Sequence, residues 1–166
     1  MGKKLDKDIL RGILSEVEKE IENLNELRKE MKGIKSEQSI IFKRSMGSIL
    51  HDFYNCCERI FKKIAIDING GYEDTEKWHK ALLFKMTIQI KGIRPPVISE
   101  ELAAELDEYL SFRHIFRNIY GFELKGERIG YLSRKFDKIV DRFIKEIRTF
   151  LAILNKEMKK GKSGLS

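Results

Sequence analysis

Apolar residues recur every three or four positions through most of this chain, which is the spacing of one face of an α-helix. In the first segment, residues 4–31, leucine, isoleucine, valine and methionine residues follow this spacing without interruption. Similar runs predict a second helix over residues 37–68 and a final helix over residues 125–158. Alternation with a period of two is not sustained, so strands are not expected. The pattern predicts an all-α protein.

Turn residues divide the apolar runs into separate helices. Gly33 and Ser36 separate the first helix from the second, and Asn69-Gly-Gly71 ends the second. Asp74 is the expected N-cap of a third helix, which ends before Gly92.

A fourth helix follows an extended Arg94-Pro-Pro96 segment. Ser99, with two glutamates behind it, is its expected start. About five helices joined by short connections predict an antiparallel bundle. We therefore predict one helical domain over residues 1–158 and a basic, disordered tail over residues 159–166. The helix within residues 1–33 can serve dimerisation, partner docking or coverage of the bundle.

Composition agrees with a helical protein that meets acidic partners. Of the 166 residues, 36% are charged, and the net charge is +7, which favours nucleic acid or an acidic protein. No secretory signal and no apolar run of membrane-spanning length are present, so we expect a cytoplasmic location. Cys56 and Cys57 are adjacent on a helix and diverge by about 100°, which predicts core thiols that do not bridge each other.

The densest group of candidate functional residues lies within residues 109–122. At about 100° per residue, one arc of the helix is apolar and carries Phe112, Ile115, Phe116 and Ile119. The opposite side is polar and carries Arg113, His114, Arg117 and Asn118. Tyr120 falls at its edge beside the two arginines, and Gly121 is the expected left-handed terminus. Two guanidinium groups near an aromatic hydroxyl suit a phosphate or a nucleic-acid backbone.

The same residues have a plainer interpretation. Arginine and histidine opposite an apolar stripe commonly form a solvated surface or pair with neighbouring carboxylates. The phosphate hypothesis requires both guanidinium groups to face an anion. It loses its basis if internal carboxylates hold them and no open groove lies nearby.

The spacing Arg113-x4-Asn118-x-Tyr120 resembles the Arg-x4-His-x-Tyr motif of the HepT-like branch of the HEPN superfamily. These are small helical proteins, many of them toxins of toxin–antitoxin pairs. The resemblance extends over roughly residues 40–158. It includes Asp52-Phe-Tyr-Asn-Cys-Cys-Glu-Arg-Ile-Phe61, Trp78-His-Lys80, Gly92-Ile-Arg-Pro-Pro-Val-Ile-Ser99 and Phe112-Arg-His-Ile-Phe-Arg-Asn-Ile-Tyr-Gly-Phe-Glu-Leu124.

The resemblance implies metal-independent RNA cleavage at a site shared across a homodimer, with no cofactor. In that scheme Arg113 stabilises charge on the phosphate, Arg117 adds a phosphate contact, and the motif histidine handles the proton of the ribose 2′-hydroxyl. This chain has Asn118 at the histidine position, and an amide does not accept and return a proton near neutral pH. His114, about 40° away on the helix, is the candidate replacement.

Tyr120 keeps the place of the motif tyrosine. The resemblance implies that a partner nucleotidyltransferase of the MNT type, acting as antitoxin, adenylylates it. The alternative for Tyr120 is packing against Phe122. For the whole protein, the leading function is a toxin-type endoribonuclease or RNA-binding component. The alternative is a catalytically inactive, dimeric interaction module.

Three further groups in the sequence carry candidate chemistry. Glu76-x-x-His79 has the spacing of a carboxylate–histidine metal pair, but no second pair exists to complete a site, so packing or hydrogen bonding of His79 is favoured. His51 and Asp52 are consecutive and are expected to point apart. Residues 91–96 form a basic connection, either a capped interhelix loop or the rim of a nucleic-acid groove.

Overall fold

The fold consists of α-helices connected by turns and short loops. The computed structural model describes residues 5–35 and 39–163, with side chains as far as Lys160. The helices in this part of the chain are α1 (Lys7–Gly33), α2 (Ile40–Asp67), α3 (Trp78–Lys85), α4 (Glu100–Asn118) and α5 (Gly126–Ser163). A 3-10 turn, Gly121–Glu123, joins α4 to α5. The predicted all-α bundle of about five helices is confirmed.

Side-chain caps fix where three of these helices begin. Asp6 caps α1, Ser39 caps α2 and Ser99 caps α4, each through an oxygen that accepts a backbone N–H of the first turn. These N–H groups have no partner within the helix, so the caps stabilise its start. The predicted start at Ser99 is confirmed, whereas Ser36 and the predicted start of α2 near residue 37 lie outside the described residues.

The start predicted for α3 is wrong. This helix begins at Trp78 after Lys77, and no side chain of the described residues, Asp74 included, caps its start. Residues 73–77 are all exposed, so no apolar contact holds them against the bundle in helical form. Packing begins only at Trp78, which is partly buried.

The final helix α5 is longer than predicted. It continues to Ser163 instead of ending near Met158, because its lysine-rich end is made mostly of good helix formers. The rest of the predicted tail, residues 164–166, lies outside the described residues. No helix in the described ranges, α5 included, combines the length and the apolar character needed to cross a membrane.

Helix α2 occupies the centre of the bundle, and the other four helices pack against it. The ring of Phe53 meets Tyr109 of α4 edge-on at 4.9 Å between centroids and Phe136 of α5 at 5.2 Å. Phe61 meets Phe143 of α5 in the same way at 5.8 Å. Such edge-to-face contacts stabilise the fold beyond the contribution of burying the rings. The Phe53–Tyr109 pair fixes α4 against α2 and so positions the C-terminal end of α4.

Helix α1 covers α2 and α5 with a continuous apolar face. Ile13, Val17, Ile21 and Leu24 on this face are all buried. The helix therefore shares the core of the bundle. This packing corresponds to the third of its predicted roles, coverage of the bundle. Dimerisation and partner docking through its outer face remain hypotheses.

Arg94 holds the connection between α3 and α4 from within. Its side chain is 3% exposed, and it donates to the carbonyls of Lys85, Ile88 and Pro95 and to Asn69 Oδ1 at 2.9–3.1 Å. Burial lowers the pKa of this guanidinium to about 10. Because its guanidinium points into the protein, Arg94 does not face a ligand. Of the two interpretations of residues 91–96, the structure therefore favours the capped interhelix loop over the rim of a nucleic-acid groove.

The two cysteines are free thiols in the core of α2, as predicted. Burial raises the pKa of the Cys56 thiol to about 12 and that of Cys57 well above its usual value. The thiolate is the nucleophilic form. Neither cysteine therefore provides a nucleophile at neutral pH.

Candidate functional site

Arg113 points into the bundle, although arginine is rarely buried. Leu102, Leu106 and Tyr109 precede it at spacings of three or four and are fully buried, and Arg113 continues their face at 4% exposure. The two faces predicted for residues 112–119 of this helix are wrong at two positions. Arg113 was predicted on the outer face but is buried, and Ile115 was predicted on the inner face but is 48% exposed. The first turns of α4 decide which face is buried, and helical spacing carries that face on to Arg113.

Glu58 of α2 is the counterion of Arg113. Nη1 and Nη2 of Arg113 each donate to one oxygen of this carboxylate at 3.1 Å, and Nη1 also donates to Asn55 Oδ1 at 2.8 Å. The guanidinium lies over the ring of Tyr54, 4.8 Å from its centroid. A buried cation requires such partners, because an isolated charge in the interior has a large desolvation cost. The expectation that both arginines face an external anion is wrong for Arg113.

His79, in the first turn of α3, completes this buried cluster. Its Nδ1 lies 2.6 Å from Glu58 Oε2 and 2.9 Å from Arg113 Nη2. At 2.6 Å the carboxylate requires a hydrogen on Nδ1, since two lone pairs would repel each other, so Nδ1–H donates to Glu58. Arg113 Nη2 donates to the same oxygen, so its 2.9 Å approach to Nδ1 brings together two donors that share one acceptor. In the neutral ring the lone pair is therefore on Nε2, which has no hydrogen-bond partner among the described side chains.

Trp78 holds the imidazole of His79 in place. The two rings are stacked with centroids 3.7 Å apart. Tyr72 stacks on Trp78 at 5.0 Å, and Lys62 Nζ lies 4.4 Å from the centroid of the Trp78 ring. These contacts and the Glu58 hydrogen bond fix the plane of the imidazole.

A cleft of about 310 Å³ opens beside the buried cluster, at the C-terminal end of α4. The residues lining it come from α3 and α4, and none is acidic: His79, Leu110, Arg113, His114, Arg117 and Asn118. Arg117 and His114 are exposed, and neither side chain has a hydrogen bond or an ion pair with the described residues. The charge of the cleft favours an anionic ligand.

Asn118 is engaged in ending the helix. Its Nδ2 donates to the backbone carbonyl of His114 at 2.6 Å, which satisfies one of the last carbonyls of α4. The residue that stands at the position of the motif histidine thus has a structural partner. His114 lines the same cleft. This position is required if His114 is to replace the motif histidine.

The chain leaves α4 before it reaches Tyr120. The helix ends at Asn118, and Ile119 is extended. The Tyr120 N–H donates to Glu123 Oε2 at 2.7 Å, and its ring, 71% exposed, stacks on Phe122 at 5.4 Å. Packing of Tyr120 against Phe122 is confirmed. Its predicted place on the helix beside the arginines is wrong, because the helix ends too early.

Gly121 has a different role from the one predicted. Among the described residues, the positive φ angles belong to Gly70, Gly71 and Gly92, so Gly121 is not a left-handed terminus. A Cβ atom at Gly121 would instead collide with the side chain of Arg44. The glycine permits this close approach of α2 to the turn after α4.

Asn55 and Glu58 were not identified from the sequence. Glu58 follows Tyr54 by four residues and precedes Phe61 by three, so it occupies a core position of α2. A charged residue within an apolar face is the signal that could have found it, since such a charge needs a buried partner.

Two other expectations concerned histidines paired with carboxylates. His51 and Asp52 were expected to point apart, but His51 Nδ1 lies 2.9 Å from Asp52 Oδ1. His79 pairs with Glu58 of α2, while Glu76 is exposed before α3 begins. In the described ranges no group of three or more His, Cys, Asp and Glu side chains is arranged to hold a metal ion.

Comparison with known protein families identifies a family that the chain matches. A family model described as HepT-like protein matches residues 45–154. The matched region contains most of α2, all of α3 and α4 and most of α5, and therefore both the buried cluster and the cleft. No curated protein and no solved structure matches the chain.

Proposed function

We propose that this chain, which belongs to the HepT-like family of HEPN-type helical proteins, binds single-stranded RNA and cleaves it without a metal ion. It would be the toxin-type component of a pair whose antitoxin is a nucleotidyltransferase. The single observation that carries the RNA proposal is the cleft at the end of α4, lined by Arg117 and His114 without an acidic residue.

Each residue of the cleft has a role in this proposal. Arg117 would bind a phosphate with its exposed guanidinium fork. Arg113, held by Glu58, would add positive charge at the wall of the cleft and stabilise the charge that develops on the phosphate. His114 and the Asn118 amide would contact the ribose or the phosphate. Attack of the ribose 2′-oxygen on phosphorus would release the 5′-oxygen and leave a 2′,3′-cyclic phosphate.

A homodimer would place two such clefts together. Ile115 and Phe122 lie within five residues of Arg117, which lines the cleft, and they are 48% and 69% exposed. Exposed apolar groups of this size commonly mark an interaction surface. Light scattering on the purified chain checks the proposal, and a monomer at micromolar concentration would contradict it.

Tyr120 is the proposed acceptor of the nucleotide. Its exposed ring is accessible to an enzyme, and an attached nucleotide would bring negative charge close to the cleft. We expect incubation with a nucleotidyltransferase of the MNT type and ATP to add one adenylyl group, located at Tyr120 by peptide mass spectrometry. The Tyr120→Phe variant should stay unmodified, and modification of that variant would contradict the assignment.

Arg117→Ala tests RNA recognition. We expect RNA affinity to fall about tenfold, the effect of losing one charge-assisted hydrogen bond to phosphate. The slope of log affinity against log salt should become shallower by about 0.7. Fluorescence anisotropy with a labelled oligoribonucleotide measures both. Arg113→Ala is less informative, because it also breaks the buried pair with Glu58.

Arg134→Ala is the matched control for this experiment. Arg134 is an exposed arginine on α5 that does not line the cleft. Its removal should leave the salt slope unchanged. Equal losses in the two variants would show general attraction by the basic surface and contradict a site at the cleft.

The second candidate function is a dimeric interaction module without catalysis. The hydrogen bond of the Asn118 amide to the helix end favours it, because this residue then serves structure and transfers no proton. RNA left intact by purified protein in EDTA, together with retained binding of the nucleotidyltransferase, would support the module. New 5′-hydroxyl ends, labelled directly by a polynucleotide kinase, would support the nuclease.

A further inference from the structure

The described part of the chain contains three histidines that differ in two properties required of a general base. Such a base must reach the reacting group and must be oriented by a partner. His51 has a carboxylate partner, Asp52, but does not line the cleft. His114 lines the cleft, but its ring has no hydrogen-bond partner in the described region. His79 has both properties.

The contacts of His79 select the nitrogen that serves as base. Nδ1–H is held by Glu58 at 2.6 Å, so the lone pair of the neutral imidazole is on Nε2. The ring is partly open, with a side-chain exposure of 34%, and it lines the cleft beside Arg113 and Arg117. Stacking on Trp78 keeps the ring from turning.

Glu58 has the right surroundings to support a transient charge on His79. Its side chain is 6% exposed, and it bonds to His79 and Arg113 together. When Nε2 takes a proton, the carboxylate stabilises the imidazolium, as the acid member of a catalytic triad does. The Arg113 guanidinium donates to both oxygens of the same carboxylate and so holds it in place beside the imidazole.

We propose that His79 is the general base of this protein and that Glu58 is its positioning residue. The inference rests on the proposed RNA cleavage and supplies the proton transfer that Asn118 cannot perform. Nε2 of His79 takes the proton of the 2′-hydroxyl while the 2′-oxygen forms its bond to phosphorus. The bond from phosphorus to the 5′-oxygen breaks, and the 5′-oxygen takes a proton from water. The imidazolium then returns its proton to solvent.

The test compares His79→Gln with His51→Gln. Both variants replace a histidine whose Nδ1 is bonded to a carboxylate, and a glutamine amide can still donate to that carboxylate. We expect His79→Gln to lower single-turnover cleavage by about 10²- to 10⁴-fold, the usual contribution of a general base. RNA affinity and thermal unfolding should stay near wild-type. His51→Gln should cleave like wild-type protein.

Chemical rescue separates a catalytic role from a structural one. Added imidazole should restore part of the cleavage by His79→Ala and none of that lost in Arg117→Ala, which lacks a guanidinium instead. Folded His79→Gln that cleaves at the wild-type rate would overturn the inference while leaving the proposed function intact. Wild-type protein that binds RNA without cleaving it would overturn the proposed cleavage, and the base with it.

Discussion

Replacing Glu58 by glutamine should lower the free energy of unfolding by about 3 kcal/mol, as expected when one partner of a buried ion pair is removed. The substitution keeps the shape of the side chain but leaves the Arg113 guanidinium, 4% exposed, without a counterion. Asn55 still accepts one of its hydrogen bonds, but an amide oxygen does not offset a full charge. Urea unfolding followed by circular dichroism measures the change.

Glu18→Gln is the matched control. Glu18 also pairs with an arginine, Arg148, but both side chains are more than half exposed. This pair should contribute less than about 1 kcal/mol, because water screens it. Equal effects in the two variants would contradict the special role of the buried pair.

The double variant Glu58→Leu with Arg113→Met sharpens this prediction. Replacing both charges with apolar side chains removes the desolvation cost together with the attraction, so most of the lost stability should return. On the proposed mechanism the double variant should nevertheless lose RNA cleavage, because it lacks both the Arg113 guanidinium and the carboxylate that orients His79. Recovery of stability without recovery of activity would show that the charges are present for function rather than for folding.

Arg94→Ala should lower the free energy of unfolding by about 3 kcal/mol, since each buried acceptor left without a donor costs roughly 1–3 kcal/mol and water can replace some of the lost contacts. The carbonyls of Lys85 and Ile88 and the Asn69 amide lose their donor together. The loop before α4 should also exchange its amide hydrogens faster. Urea unfolding and hydrogen exchange followed by mass spectrometry measure the two effects.

Lys91→Ala provides the control in the same loop. Lys91 carries the same charge but is exposed. Its substitution should change stability by less than about 0.5 kcal/mol. A loss as large as that of Arg94→Ala would mean that the net charge of the loop matters rather than the internal hydrogen bonds.

The helices could be predicted because their information is local. Apolar spacing gave the existence and order of the five helices, and Ser99 gave the start of α4. The boundaries were less certain where packing decides them. Asp74 is a good cap by residue type, yet α3 begins at Trp78, where contact with the bundle begins.

The sequence predicted the helix α4 residues of the candidate site, but neither their arrangement nor their partners Asn55 and Glu58 on α2. Arg113, His114, Arg117 and Asn118 do line one cleft. Tyr120 does not continue their helix, because Ile119 takes an extended conformation that the spacing of side chains does not encode.

The sequence by itself determined the order of the helices and most of the positions that face the core, because helical spacing depends on neighbours within a few turns. It also carried the family resemblance, which rests on short motifs. Only the tertiary structure decided what Arg113 binds. Glu58 is 55 residues away and His79 is 34 residues away, on two other helices. The helical period assigns a side chain to a face of its own helix, but the packing of three helices determines which charges meet there.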